Sequence, residues 1–377
     1  MLRRAVALAR RGEGRVEPNP MVGCLIARGD RIIAEGHHRR FGGSHAEVDA
    51  LRRAESHVRG ATMYVSLEPC CHQGKTPPCT GAIIEAGIAR VVVAASDPHP
   101  LVRGGGIRTL RRAGVVVDIL KNEAAAADVL APYLTGIHRR RPYVIAKWAQ
   151  SLDGKLATRR GESKWISCTA SRRRVHRLRA RVDAILVGVG TVIADDPLLT
   201  ARDVPLRRTA LRVVLDGHLR TPPRSRIVRT AGTVPTVICT ERAAARGAKA
   251  ERLRSAGVEV VGCAMRSGRI VLPDLLRSLC EHDVTNLMVE GGPAVLGAFL
   301  RDGLVDEAWA FVAPILIGGV DAPGVITDIG PTDLARMLRP LLATAQRSGV
   351  DTFHRLQFTD PAALLKRGAG DRRGESR

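Results

Sequence analysis

Residues 68–79 read EPCCHQGKTPPC: three cysteines, a histidine and a lysine among three prolines, directly after the strand-like run TMYVSL. Of the eight cysteines, Cys24, Cys168, Cys239, Cys263 and Cys280 lie far apart in the chain. Only Cys70, Cys71 and Cys79 cluster. That distribution reads as metal binding in a reduced, cytoplasmic chain, since a disulfide framework needs paired cysteines throughout.

Upstream, His45-Ala46-Glu47 opens the first long helical pattern. A histidine with two cysteines around Zn2+, and a glutamate two residues after the histidine to handle protons, is the zinc-deaminase arrangement. Its usual second half is Pro-Cys-x-x-Cys, whereas eight residues separate Cys70 from Cys79 here. Cys79 precedes the helical run TGAIIEAG, so its sulfur is expected at a helix N-terminus, where the dipole favours thiolate. Cys71, adjacent to Cys70, points away from a shared ion if the segment is extended, and His72 stands as an alternative ligand. A structural zinc site normally has four protein ligands. Three ligands beside a glutamate leave a position for water.

Outward from this stretch the pattern alternates. MVGCLI, RIIAEG, TMYVSL, RVVVAA and VVVDIL read as strands, with helices at HAEVDALRRAE, TGAIIEAG and GIRTLRRAG, giving a layered α/β unit. Arg28-Gly29-Asp30 sits between the first two strands and reads as a hairpin turn. After the basic IHRRRPY a second alternation begins, with strands at YVIAKWAQ, DAILVG, LRVVLD, TVIC, VEVV and NLMVE. The expected organisation is residues 1–140, residues 141–358 and a disordered basic tail at 359–377. MLRRAVALARRG has too short an apolar run for a secretory signal. It has the arginines of a transit peptide, and it also reads as a first helix with Ala5, Val6 and Ala9 on one face.

The chain has 377 residues, 59 Lys+Arg against 37 Asp+Glu and a net charge of +22. Such a charge raises a nucleic-acid partner as an alternative. The arginines, however, are scattered from Arg3 to Arg377 and aromatics are 3%, so stacking platforms for bases are scarce. A solvated basic surface serving a phosphorylated small substrate, with no nucleic acid or membrane partner, fits better. Nothing in these patterns excludes a homo-oligomer.

Asn19-Pro-Met-Val-Gly-Cys24, the His-Ala-Glu at 45–47 and the Pro-Cys-Cys…Cys at 69–79 together resemble the RibD family of bifunctional riboflavin-biosynthesis proteins, in which a long insert between the two cysteines is the norm. The resemblance runs from about Leu2 to Phe358. It implies a cytidine-deaminase-like three-layer domain followed by a dihydrofolate-reductase-like domain. It also implies His45, Cys70 and Cys79 as zinc ligands and Glu47 as the catalytic proton carrier, in deamination of a phosphoribosylamino diaminopyrimidinone. Asn19 and His38 match positions that meet the substrate, and Lys75 one that meets its phosphate. The family usually carries several residues before the first helix that are missing here, which suggests a late start or a frayed first helix.

In the second half Lys147–Lys155, Gly161–Ile166, Val187–Arg202 and Val289–Pro293 carry the resemblance. Read alone they are glycine-rich turns. A dinucleotide fingerprint at Gly188-Val-Gly190 fails, because the third position is Ile193. The strand entering Gly291-Gly292-Pro293 offers helix-opening amides to a cofactor phosphate. The resemblance implies NADPH on Ala149, Trp165, Thr191, Asp195 and the stretch Gly292, Pro293, Ala294, Val295, Leu296, Gly297 and Ala298. It implies substrate on Ser163, Arg179, Leu199, Arg202 and Glu290, where guanidinium forks suit a sugar phosphate. The reaction the resemblance implies is hydride transfer to C1 of the ribosyl group, with Lys147, Asp153 and Glu290 as candidate proton donors. A nucleic-acid deaminase, or a deaminase with a non-catalytic ligand-binding second half, is the alternative.

Overall fold

The computed structural model describes residues 1–54, 58–74, 76–120, 124–327, 329–330 and 333–367. They form two compact units, one built from Met1–Arg140 and the segment after Asp360, the other from Arg141–Thr359.

The first unit holds helices α1 (Leu2–Ala9), α2 (Ala46–Arg53), α3 (Cys79–Glu85), α4 (Gly105–Arg112) and α5 (Ala124–Arg139). Its strands are β1 (Gly23–Arg28), β2 (Arg31–His37), β3 (Thr62–Val65), β4 (Arg90–Val93) and β5 (Val116–Ile119), in the sheet order β2-β1-β3-β4-β5. β1 is antiparallel to both neighbours, and β3, β4 and β5 are parallel. Strand side chains alternate between faces, so an almost wholly apolar strand needs cover on both sides. Cys24 and Ile26 of β1 pack with Ala46, Ala50, Ile83 and Leu110 from α2, α3 and α4. Leu25 and Ala27 pack with Ala5, Val6, Ala9 and Val129 from α1 and α5. The result is a three-layer α/β/α unit. Gly29 and Asp30 make the turn between the paired Arg28 and Arg31, with Gly29 at φ +56°. Helix α1 is formed from Leu2 onward, with Leu2, Ala5, Val6 and Ala9 buried, so the expected fraying is corrected by the packing of its apolar face.

In the second unit the strands are β6 (Tyr143–Ser151), β7 (Ala184–Gly188), β8 (Leu211–Leu215), β9 (Thr236–Glu241), β10 (Glu259–Cys263), β11 (Met265–Arg266), β12 (Arg269–Ile270), β13 (Asn286–Val289), β14 (Glu307–Ala313), β15 (Leu342–Ser348) and β16 (Asp351–Gln357). Helices α6 (Thr169–Arg179), α7 (Val189–Asp195), α8 (Arg226–Arg229), α9 (Ala248–Ser255), α10 (Leu272–Glu281) and α11 (Pro293–Arg301) connect them. Nine strands share one sheet, β10-β9-β8-β7-β13-β6-β14-β16-β15, and β11 and β12 form a separate hairpin. The first seven of those nine run parallel, while β16 and β15 close the sheet antiparallel. Strands β14 to β16 extend the alternation read from the sequence. β15 was hard to see because it exposes every residue but Ser348, which leaves it no apolar period.

The expected disordered tail is corrected in part. Helix α12 (Pro361–Arg367) belongs to the first unit, where Leu364, 2% exposed, packs with Leu67, Ala95, Leu130 and Leu134. Residues 368–377 lie outside the described residues. Leu364→Ala should destabilise the first unit by about 2–5 kcal/mol, the usual cost of such a cavity. Denaturant unfolding is the measurement, and an unchanged midpoint would mean that α12 adds nothing. Among the described residues, no helix is long and apolar enough to cross a membrane.

Candidate active sites

The first site is assembled at helix starts. His45 is the extended residue capping α2, and Glu47 lies in that helix's first turn. Cys70 follows β3 in a loop, and Cys79 is the first residue of α3. The His45 Nδ1 is 3.2 Å from the Cys79 sulfur and 3.5 Å from the Cys70 sulfur. Zinc–ligand lengths of about 2.3 Å to sulfur and about 2.0–2.1 Å to nitrogen give tetrahedral N···S edges near 3.6 Å, so this donor set fits zinc. Among the described residues, the ligand-type cluster here comprises these three side chains.

The loop that carries Cys70 is fixed from behind. Glu68 accepts hydrogen bonds from the backbone N–H groups of Asp97, Gly104 and Ile107, at 3.3, 3.1 and 3.2 Å. Gly106 lets α4 close on this loop, since a Cβ there would stand 1.9 Å from the Pro69 carbonyl oxygen. The N-terminus of α3 serves a different sulfur from the one expected. The N–H of Cys79 points at the Cys70 sulfur, 3.3 Å away, rather than favouring thiolate on Cys79 itself. Donation from the Cys79 thiol, together with His45, lowers the Cys70 thiol to about 4. As the donor in that bond, and buried beside Glu47, Cys79 is raised. Cys71 is turned away toward Gly105 and the Leu101 carbonyl, and His72 stands outside the cluster.

Glu47 is 3% exposed, and burial raises its carboxyl to about 7. His38 packs edge-on to His45 with ring centroids 5.4 Å apart. Its Nδ1 donates to the Ser44 carbonyl at 3.0 Å, leaving Nε2 to accept from the Asn19 amide at 3.2 Å. Burial lowers the pKa of His38, which keeps this ring neutral. Asn19 is thereby oriented beside the cluster. Lys75 lies outside the described residues.

The second site is a cavity of about 650 Å³ in the second unit, within the size range of small-molecule sites. The adjacent strands β7, β13 and β6 end at it, as expected for an open α/β sheet. Ala149, Ser163, Trp165, Arg179, Thr191, Asp195, Leu199, Arg202, Glu290 and the run Gly292, Pro293, Ala294 and Val295 all line it. Trp165 is 65% exposed, which rules out core filler, and the Arg172 guanidinium lies 4.6 Å from its ring centre. Gly291 is required by close packing, because a Cβ there would meet the Val295 side chain at 2.5 Å.

Three expectations are corrected. Leu296, Gly297 and Ala298 do not line the cavity: Leu296 is in the core, Gly297 abuts the Thr327 backbone, and Ala298 packs on the core from the same helix. Asp153 also lies outside it, accepting from Ser151 Oγ at 2.5 Å and from the N–H groups of Ile317 and Gly318, so it braces a loop. Finally, the Arg179 fork is directed at Glu290, at 2.5 and 2.8 Å, and not into open space. Lys147 Nζ sits 3.6 Å from the same carboxylate. Burial opposes ionisation of Glu290, but Arg179 and Lys147 outweigh it and hold the carboxyl at about 2. Burial lowers the pKa of Lys147.

Lys164, Arg172, His176 and Arg226 also line this cavity, and the sequence reading missed them. Only His176 carried a signal, three residues before Arg179 on one helix face.

A three-layer unit with a His/Cys/Cys cluster beside a buried glutamate, joined in one chain to a mostly parallel α/β unit with a nucleotide-sized cavity, defines a zinc-dependent deaminase coupled to a reductase. Residues 1–95 match the cytidine and deoxycytidylate deaminase zinc-binding region, and residues 142–352 match the RibD C-terminal domain. The riboflavin biosynthesis protein RibD of Actinobacillus pleuropneumoniae is 42% identical over 93% of this chain and 92% of its own length. That of Escherichia coli is 40% identical over 88% and 91%. Among solved structures, Acinetobacter baumannii RibD superposes with a TM-score of 0.84 at 36% identity, covering 94% of this chain and 97% of that one. A Thermotoga maritima diaminohydroxyphosphoribosylaminopyrimidine deaminase/5-amino-6-(5-phosphoribosylamino)uracil reductase gives 0.83 at 34% identity, with the same coverage. The chain belongs to the RibD family, the bifunctional deaminase–reductases of riboflavin biosynthesis.

Proposed function

We propose that the first unit deaminates 2,5-diamino-6-(5-phosphoribosylamino)pyrimidin-4(3H)-one and that the second reduces the ribosyl group of the resulting 5-amino-6-(5-phosphoribosylamino)uracil to ribityl. The observation that carries this reading is the convergence of His45, Cys70 and Cys79 beside the buried Glu47.

His45, Cys70 and Cys79 would hold zinc, which would supply Lewis-acid activation of water near neutral pH. Glu47, with a carboxyl poised near neutrality, takes a proton from the attacking water and passes it to the pyrimidine ring, then takes the second proton from the new hydroxyl and gives it to the departing ammonia. Asn19, fixed by the neutral His38, orients the ring. Lys75 retains its sequence-based assignment to the substrate phosphate.

In the second unit NADPH supplies the hydride. Gly292, Pro293, Ala294 and Val295, at the start of α11, would hold it together with Ala149, Trp165, Thr191 and Asp195, which line the same cavity. Ser163, Leu199 and Arg202 face the substrate. Lys147 Nζ, aligned by Glu290 and eased toward deprotonation by burial, delivers the proton at the sugar, and Arg179 keeps Glu290 ionised.

Eight free cysteines suit a reducing, cytoplasmic setting. Strand β15, exposed along almost its whole length, suits pairing with a second copy. No nucleic acid belongs to this reading.

The test follows ammonia release and NADPH oxidation separately on the purified chain. Chelating zinc should stop deamination while NADPH oxidation with the deaminated substrate continues. Loss of both, or of neither, contradicts two independent sites.

A further inference from the structure

Trp165 and Arg172 meet at the reductase cavity, and both line it. Trp165 stands in the loop that precedes α6 and is 65% exposed. The Arg172 guanidinium lies over its ring, 4.6 Å from the centre. Arg172 covers one face of the indole, so the exposed area belongs to the other face and the edges.

The guanidinium is itself held in place. One nitrogen donates to the Ser167 carbonyl, and another donates to Thr169 Oγ1 at 3.0 Å. Both acceptors are neutral, and among the described residues no carboxylate pairs with Arg172. Its place in the helix is also unfavourable. α6 begins at Thr169 after the Cys168 cap, so Arg172 closes the first turn, where the partial positive charge of the helix start repels a cation. No acidic residue in that turn offsets it. A cation kept there is explained by what it holds and not by what it adds to stability.

Helix periodicity decides which arginine takes this role. Arg172, His176 and Arg179 recur at helical spacing on one face of α6, and all three line the cavity. Arg174 turns elsewhere, with its guanidinium 5.0 Å from the Phe353 ring centre and a bond to Gln346 Oε1 at 3.3 Å. The loop is tied on both sides of the indole, because Lys164 Nζ donates to the Asp195 carbonyl at 3.3 Å while Ser167 is bound to Arg172. A ring fixed before binding does not have to be ordered when its ligand arrives.

We infer that Arg172 is a positioning residue for the reductase: it holds the Trp165 indole at the cavity so that the open face stacks on a ring of NADPH. This rests on the reductase reading given above, in which Trp165 meets the cofactor. Arg172 acts through the indole, by the attraction of a cation for the ring face.

Arg172 is half-buried and bonds only to its own loop and helix turn, so Arg172→Gln should fold, which an unchanged thermal unfolding midpoint verifies. It should raise KM for NADPH by ~3–10-fold, the size of a cation–π contact at an accessible site. KM for the deaminated substrate should keep its parental value. Arg172→Lys, which retains the charge and loses the flat fork, should fall between the parent and Arg172→Gln. In a Trp165→Leu background, Arg172→Gln should change KM for NADPH by less than ~2-fold, because the partner is gone. At saturating NADPH, energy transfer from excited indole to the bound dihydronicotinamide should drop in Arg172→Gln toward the level of Trp165→Leu. Effects that multiply in the double substitution would overturn the inference, since Arg172 would then act without the indole. An unchanged KM for NADPH in Arg172→Gln, or a rise confined to the substrate, overturns it as well. If Arg172→Gln does not fold, the same cycle is run with Arg172→Lys and is judged by the same outcomes. If the unaltered protein shows no saturable binding of NADPH, the reductase reading itself has failed.

Discussion

Glu47→Gln is expected to lower ammonia release by about 10²–10⁴-fold, the range typical of a lost general acid–base, while the zinc content measured on the purified variant stays that of the parent. The substitution keeps size and a polar head in a site where the side chain is 3% exposed. It asks nothing new of the fold, because burial already brings the glutamate to about 7 and a neutral side chain is tolerated there. What glutamine lacks is the capacity to take a proton and give it back. His45, Cys70 and Cys79 still converge in its absence, so the metal remains. NADPH oxidation with the deaminated substrate serves as the internal control. Deamination surviving at parental rates would remove Glu47 from the mechanism, whereas loss of zinc would recast it as part of the metal's support.

The second large effect is expected for Glu290→Gln. Its carboxylate, with a side chain 7% exposed, faces the Arg179 fork and Lys147 Nζ. Removing one partner of a buried charge network leaves the others uncompensated, at a cost of about 3–5 kcal/mol. Lys147 would lose its anchor and its remaining charge support, so reductase turnover should fall by about 10²-fold or more if it supplies the proton. The pH dependence provides a second reading. The folded carboxyl is depressed to about 2 by Arg179 and Lys147 against the opposing effect of burial, below an unfolded value of about 4.3. Its stabilisation is therefore present above pH about 4.3 and is lost as pH falls toward about 2. Acid titration of unfolding free energy should show that loss in the parent and a flatter curve in the variant. Identical acid curves, or an unaltered reductase rate, would mean that the cluster does not work as a unit.

The deaminase half was readable because its donors announce themselves chemically. Two cysteines, a histidine and a glutamate at set distances from strand and helix signals leave few roles open, and the layers followed from apolar runs buried on both faces, as Cys24, Leu25, Ile26 and Ala27 are. Where local placement was pressed further, it misassigned the effect. The helix start that was expected to favour thiolate on Cys79 directs its N–H to Cys70 instead, because the amide and the sulfur of one residue point in different directions.

The reductase half was different. Its glycine-rich turns became a site only through family resemblance, which named a continuous run from Gly292 to Ala298. The helix then turned Leu296, Gly297 and Ala298 away from the cavity. Asp153 read as a candidate acid and is a loop brace.

From the order of residues alone came the fold class, the two-unit organisation and the metal-binding chemistry, because these depend on short-range period and on donor type. Only the tertiary structure decided that Arg179 meets Glu290 across 111 positions, that the α12 segment folds onto α5, and that the buried Arg212 guanidinium is held by the Leu198 and Ile227 carbonyls. The physical reason is that a charge acquires its role from whatever lies within a few ångströms of it, and in a chain with arginines throughout, that neighbour is set by how the strands stack.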